Sequence, residues 1–106
     1  MAKYLIEAAY TSEGAKGLLK DGGSKRRAAA EQAIKNAGGK LEAFYFAFGN
    51  KDAVVIIDAP DHASVVAASL AINSSGAVRT RTTVLLSPEE VDQAAKKSVK
   101  YTAPGQ

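Results

Sequence analysis

Residues 41–59 read LEAFYFAFGNKDAVVIIDA. The two outer runs, Leu41–Phe48 and Ala53–Ala59, are rich in aromatic and β-branched side chains, which is typical of strands. The four residues between them, Gly49-Asn50-Lys51-Asp52, are turn formers. Two strands joined by so short a turn pair antiparallel. The sequence therefore predicts a β-hairpin in the middle of the chain.

The segment before the hairpin begins with Lys3–Tyr10 (KYLIEAAY), which contains Tyr, Leu and Ile and predicts a first strand. A short helical turn is expected over Ser12–Lys20. After the glycine pair that follows, Ser24 is a candidate N-cap for a helix, and Gly38 provides the glycine at which that helix ends. We therefore expect one main helix between the first strand and the hairpin.

The segment after the hairpin begins with Asp61, a candidate cap for a helix over His62–Ser74. Val78–Leu86 then predicts a fourth strand. Ser87-Pro88-Glu89-Glu90 combines a capping serine, a proline at the first helical position and a glutamate three residues after the cap, and a helix to about Lys97 follows.

The predicted order is β-α-β-β-α-β with an extra C-terminal helix, which is the ferredoxin-like arrangement of the α+β class with an antiparallel sheet. The chain has 106 residues, and this length favours a single domain over residues 1–98. Residues 99–106 contain Pro104-Gly105 and little to bury. We expect this tail to be disordered or held by a partner.

Alternation along the strands predicts two faces of the sheet. The face expected to pack on the helices takes Ile6, Ala8, Ala43, Tyr45, Val55, Ile57, Thr82 and Val84. The other face takes Leu5, Glu7, Phe44, Phe46, Phe48, Val54, Ile56, Arg79, Arg81 and Leu85. Because this second face is also largely apolar, we expect a second copy of the sheet to cover it.

Composition excludes much chemistry. The chain has no cysteine and one histidine, so disulfides, thiolate metal sites, cysteine nucleophiles and histidine clusters are excluded, and we expect no metal and no cofactor. The net charge of +3 is too small for a nucleic-acid binding surface. RNA-binding sheets of this topology need basic and aromatic residues on the third strand, whereas the aromatic residues of this hairpin lie on the second. With neither a signal peptide nor a membrane span, a cytoplasmic protein is expected.

Two arginines are candidate ligand-binding residues. Arg79 and Arg81 are two residues apart on the fourth strand, so both point to one face, where two guanidinium groups can bind an anion together. Glu7 on the neighbouring first strand points to the same face, and a structural or interfacial Arg–Glu pair is the alternative.

Three further residues are candidates near the hairpin. Tyr45 is expected beside Thr80 and Thr82 in a pocket between helices and sheet, where its hydroxyl would orient or protonate a substrate; a satisfied core tyrosine is the alternative. Lys51 and Asp52 would present charge at the pocket mouth, but turn formation explains them with fewer assumptions. His62, at a helix start, is expected on the surface.

Several motifs resemble the GYD-domain family, within the dimeric α/β-barrel superfamily. The resemblance rests on Tyr10-Thr11 with Gly14, Gly38-Gly39-Lys40-Leu41, Ala43–Gly49, Asp52 before Val54-Val55-Ile56, Ala59-Pro60-Asp61 and Val78-Arg79-Thr80. Lys51 stands where the tyrosine of the Gly-Tyr-Asp element is usual.

The resemblance implies a ferredoxin-like fold that associates through its sheets, in a family without an established activity. It implies a homo-oligomeric binding or accessory protein with a possible small-molecule ligand. The alternative, drawn from the wider superfamily, is a cofactor-independent monooxygenase- or isomerase-like enzyme acting on a small aromatic or lactone substrate.

Overall fold

The computed structural model describes residues 1–47 and 49–106 and has an α+β architecture. Within these residues, four antiparallel strands form one open sheet and four helices connect or follow them. The elements are β1 (Ala2–Tyr10), α1 (Ser12–Asp21), α2 (Gly23–Asn36), β2 (Lys40–Phe46), β3 (Ala53–Ala59), α3 (His62–Asn73), β4 (Val78–Leu85) and α4 (Pro88–Ala95).

The strand order across the sheet is β2-β3-β1-β4, so the first strand lies in the interior and the hairpin forms one edge. The predicted hairpin is confirmed, because β2 and β3 pair antiparallel with Phe46 opposite Ala53. Strand β1 pairs antiparallel with both neighbours, which places Ala2 opposite Ala59 and Tyr10 opposite Val78. Strands β3 and β4 therefore run parallel to each other, and both end beside the start of β1.

Two of the predicted helix caps are confirmed and one is wrong. Asp61 accepts a hydrogen bond from the Ser64 backbone N–H at 2.8 Å, and Ser87 forms a full capping box with Glu90. Ser24 is not an N-cap, because α2 already begins at Gly23. The physical reason is Gly22: with a φ of 83° it is both the C-cap of a ten-residue α1 and the N-cap of α2, so Ser24 lies within the first turn of α2.

The core lies between one face of the sheet and the helices α2 and α3. We call the side of the sheet that packs on these helices the helix face. Its buried residues are Tyr4, Ile6, Ala8, Ala53, Val55, Ile57, Ala59 and Val78 from the strands, with Ile34 of α2 and Val65 and Ala68 of α3. Alanines on both sides of the contact let the helix backbones approach the sheet closely. We call the opposite side of the sheet the open face.

The predicted faces of β2 are wrong. Phe44 lies opposite Val55 and Phe46 opposite Ala53, so both rings lie on the helix face, while Tyr45 lies on the open face opposite Val54. The cause is a register shift between Leu41 and Ala43: an extra residue in one strand reverses the alternation beyond it. Phe48, the third expected phenylalanine, lies outside the described residues.

Helix α4 projects away from the sheet and helices. It ends at Ala95 rather than near Lys97, and no residue of this helix is buried. The Cα radius of gyration is 17.0 Å and the longest dimension is 56 Å. A compact chain of this length has a radius of gyration of about 13 Å. The excess indicates an extended C-terminal segment.

Candidate functional site

The open face is an unpartnered, partly apolar surface of the sheet. Leu5, Ala43, Val54 and Ile56 are half-buried on it, and Tyr45 is 70% exposed. Both clusters of buried residues among the described residues belong to the helix face. A sheet face of this composition is suited to covering by another protein surface.

Arg79 and Arg81 lie on the open face, as predicted. Both are exposed, and Arg81 is directly opposite Glu7 on β1. Within the part of the chain that the structure describes, neither arginine forms an ion pair, so the register of the expected Arg–Glu pair is present without its contact. The charges remain available to a partner or a ligand.

One end of the open face is occupied by a three-residue charge network. The Lys3 Nζ atom lies 2.9 Å from Asp58 Oδ1 and 3.0 Å from Glu42 Oε2. Hydrogen bonds first to Asp58 and then to Glu42 raise the pKa of Lys3. Lys3 and Asp58 are direct cross-strand partners, so the network follows from the register of β1 and β3.

The helix face contains a small cleft around Tyr10. A cavity of about 50 Å³ lies between the helices and the sheet, with mostly apolar walls and with Tyr10, Arg26 and Thr80 as its polar side chains. Burial raises the pKa of Tyr10, and the nearby charge of Arg26 opposes that rise. The hydroxyl is therefore protonated at neutral pH and can donate a hydrogen bond toward a bound group.

Asp52 positions Tyr10 from the hairpin. Its Oδ2 atom accepts a hydrogen bond from the Tyr10 backbone N–H at 2.8 Å, and its own backbone N–H donates to the Ala8 carbonyl at 2.9 Å. With Tyr10 and Phe46, Asp52 also lines an adjoining surface depression of about 370 Å³. Lys51 lies beside it, half-buried, and forms no ion pair among the described residues.

Tyr45 does not line the cleft, and this prediction is wrong. Thr80 and Thr82 lie opposite Ala8 and Ile6, on the helix face, whereas Tyr45 points to the open face. The register shift in β2 is the reason. The tyrosine of the cleft is Tyr10 at the end of β1, a strand-end residue whose approach to the hairpin follows from the β1–β3 pairing.

A second cluster, around Tyr4 and His62, was also not predicted. The Tyr4 hydroxyl lies 2.7 Å from His62 Nδ1, and the rings meet edge to face at 5.6 Å. These residues line one end of a groove of about 380 Å³ between α3 and β4, which we call the α3–β4 groove. A sequence signal existed: antiparallel β1–β3 pairing places the residues after β3 beside the start of β1.

Neither a metal-binding cluster nor a membrane-spanning helix is present among the described residues. Among residues 1–47 and 49–106, no group of three or more His, Cys, Asp or Glu side chains is arranged to hold a metal ion. In the same ranges, no helix has the length and apolar content to cross a membrane.

Comparisons with known proteins place the chain in a family. No curated protein matches the sequence. The family model described as GYD domain matches residues 4–95, from the third residue of β1 to the last residue of α4. This match includes Tyr10, the hairpin and both arginines of the open face. Because it covers most of the 106 residues, the chain belongs to the GYD domain family.

Proposed function

We propose that the protein is a homo-oligomeric binding or accessory protein of ferredoxin-like fold, whose protomers associate through the open faces of their sheets. The strand order β2-β3-β1-β4, with antiparallel pairing throughout, supports the ferredoxin-like assignment. The composition of the open face carries the rest of the proposal.

The apolar content of the open face supports a sheet as its partner. Leu5 and Ile56 are direct cross-strand neighbours at its centre, and Val54 and Tyr45 form the next pair. Stacked sheets interdigitate side chains of this kind across a layer about 10 Å thick. Full burial of the part-exposed aliphatic side chains would stabilise the complex by about 25 cal/mol per Å² of apolar surface.

The charges of the open face support a second copy as the partner. Each protomer presents Arg79, Arg81 and Glu7, which form no ion pair within the described chain. A two-fold axis makes an interface self-complementary, so an arginine of one protomer can meet the glutamate of the other. Opposed charges across the interface select this partner and disfavour misaligned pairings.

A charge exchange tests the proposal. We expect Arg81→Glu to weaken self-association at least tenfold in sedimentation velocity at low salt, because it places four acidic groups, two from each protomer, around the axis where opposite charges met. The double variant Glu7→Arg with Arg81→Glu restores the opposite signs and is expected to recover most of the affinity. Arg27→Glu, an exposed charge reversal on α2, is the matched control. Equal self-association of all four proteins would refute the proposal.

A second function, small-molecule binding or cofactor-independent turnover, is favoured by the cleft at Tyr10. A protonated, half-buried hydroxyl beside a guanidinium can donate to a carbonyl or phenolate oxygen. The cavity of about 50 Å³ holds only a few atoms, so an aromatic or lactone ring requires Tyr10 and Arg26 to move outward. To test binding, a panel of small phenols and lactones is added and NMR chemical shifts are followed at Tyr10 and Arg26; the changes should be lost in Tyr10→Phe. Product formation under oxygen then distinguishes turnover from binding.

A further inference from the structure

The C-terminal segment carries apolar side chains that its own chain does not bury. We call residues 86–101 the C-terminal arm. Leu86, Val91, Val99 and Tyr101 are each more than half exposed, and none of the residues of α4 is buried. Helices of eight residues are marginal in water even with good caps. The Ser87 capping box therefore favours a helix that still lacks its packing partner.

Helix α4 is nevertheless part of the domain. The family match extends to Ala95, which is also the last residue of α4. An amphipathic helix that belongs to a domain needs a surface against which its apolar side can pack. Among the described residues α4 has no such surface in its own chain, so a surface on another molecule is the candidate.

The α3–β4 groove provides an apolar surface of matching character. Helix α3 (HASVVAASLAIN) contains no Asp, Glu, Lys or Arg, although its outer side faces solvent in the single chain. Val66 and Leu70 are more than half exposed, and with Val84 of β4 they form the groove walls. A helix without charged residues is typical of a buried position. A single chain therefore has both an unoccupied apolar groove and an unpartnered apolar arm.

The size of the open face indicates that a sheet-to-sheet contact alone is small. Four strands about 4.8 Å apart, each about seven residues long at about 3.3 Å per residue, cover roughly 440 Å². Stable interfaces bury about 800 Å² on each partner. By this measure the sheet face alone covers only part of that area, and a further contact between the two copies would add to it.

We propose that the C-terminal arm of one copy docks in the α3–β4 groove of a second copy, with Val91 of the arm against Leu70 of the groove. This inference rests on the proposed self-association and adds a second contact to it. Helix α4 leaves β4 at its capped start and extends away from the body, so docking between copies buries arm and groove together. The groove lining contains no acidic or basic side chain except His62, so apolar packing provides the affinity.

Cysteine pairing tests the contact directly, since the natural chain contains no cysteine. One protein carries Val91→Cys, the other Leu70→Cys, and the two are mixed and oxidised gently. We expect the mixed disulfide to form at least fivefold faster than with Gln93→Cys, which lies on the opposite side of α4 from Val91. Equal rates for the two arm positions would overturn the proposal.

Self-association of single variants separates this proposal from the one above. We expect Val91→Asp and Leu70→Asp each to raise the dissociation constant of the full chain at least tenfold, with Gln93→Asp unchanged as control and the fold checked by circular dichroism. If Arg81→Glu weakens association and Val91→Asp does not, the arm proposal fails and the sheet proposal stands. If only the arm and groove variants act, the sheet proposal fails. A monomeric natural chain would overturn both, and a groove filled by a different protein would overturn the arm proposal alone.

Discussion

The Tyr4 hydroxyl lies 2.7 Å from His62 Nδ1, and it joins a fully buried strand residue to the first residue of α3. Nothing else in the described residues hydrogen-bonds that hydroxyl. The pair thus connects the sheet centre with the start of a helix that contributes to the core.

We expect Tyr4→Phe and His62→Ala each to lower the free energy of unfolding by about 1 kcal/mol, because each removes the same hydrogen bond and His62→Ala leaves a buried hydroxyl unpaired. The double variant should cost less than the sum, with a coupling of about 1 kcal/mol in urea denaturation. Strictly additive losses would show that the two groups do not interact.

The close approach of α1 to the β4 entry predicts a sharp contrast between two glycines. A Cβ atom on Gly14 would collide with the Ala77 backbone carbonyl, whereas nothing lies within 4 Å of the corresponding position at Gly17. We expect Gly14→Ala to destabilise the fold by about 1–3 kcal/mol and Gly17→Ala to stabilise it by up to about 1 kcal/mol. Both are measured by thermal and urea denaturation; similar effects of the two substitutions would contradict the packing of α1.

The cleft predicts a tyrosine that ionises late. Burial raises the pKa of Tyr10, so its neutral form favours the folded state; this contribution is complete below about pH 10 and is lost as pH rises through the folded pKa. In a tyrosinate absorbance titration, Tyr10→Phe should remove a component that ionises later than an ordinary tyrosine.

Arg26 opposes that rise, so its removal gives a second test of the same cleft. Arg26→Gln should move the late component to still higher pH, while Arg27→Gln, one residue further along α2, should leave it unchanged. A late component that is insensitive to Arg26 would show that burial alone sets this pKa.

The cap of α3 predicts a loss of stability in acid. Hydrogen bonds from Ser64 lower the pKa of Asp61, so its stabilising contribution is present at neutral pH and is lost as pH falls below about 4. Asp61→Asn retains a capping side chain and removes the titration. Its melting temperature should therefore decline less than that of the natural chain between pH 5 and about pH 3; parallel curves would exclude Asp61 as a contributor.

The sequence predicted the order of the elements well because their boundaries rest on local chemistry. Asp61, Ser87 and the glycines at helix ends act within a few residues of themselves, and these signals are readable without a fold. The faces of β2 were not predictable, since Phe44 and Tyr45 are both suited to burial and the register shift near Ala43 depends on pairing with β3. This one shift transferred Tyr45 from the expected cleft to the open face.

In the candidate sites, too, the sequence shows the local features but not the long-range contacts. Asp52 was identified as a turn residue, but its contact with the Tyr10 backbone joins parts of the chain that are 42 residues apart. Tyr4 and His62 are separated by 58 residues. Contacts at this separation follow from the topology of the sheet, so they become predictable only after the strand order is accepted.

The most direct test of the central claim is the molar mass of the purified chain by light scattering, measured from low to high micromolar concentration. Association through the open face predicts at least twice the chain mass of 11.0 kDa for the natural protein. It predicts that Ile56→Asp and Tyr45→Asp each return the mass toward that of the monomer. Because the Tyr45 side chain is exposed in the single chain, misfolding would not explain a lower mass of the Tyr45→Asp variant. A natural chain that stays at 11.0 kDa across this range, or variants that keep the full oligomer mass, would contradict the claim.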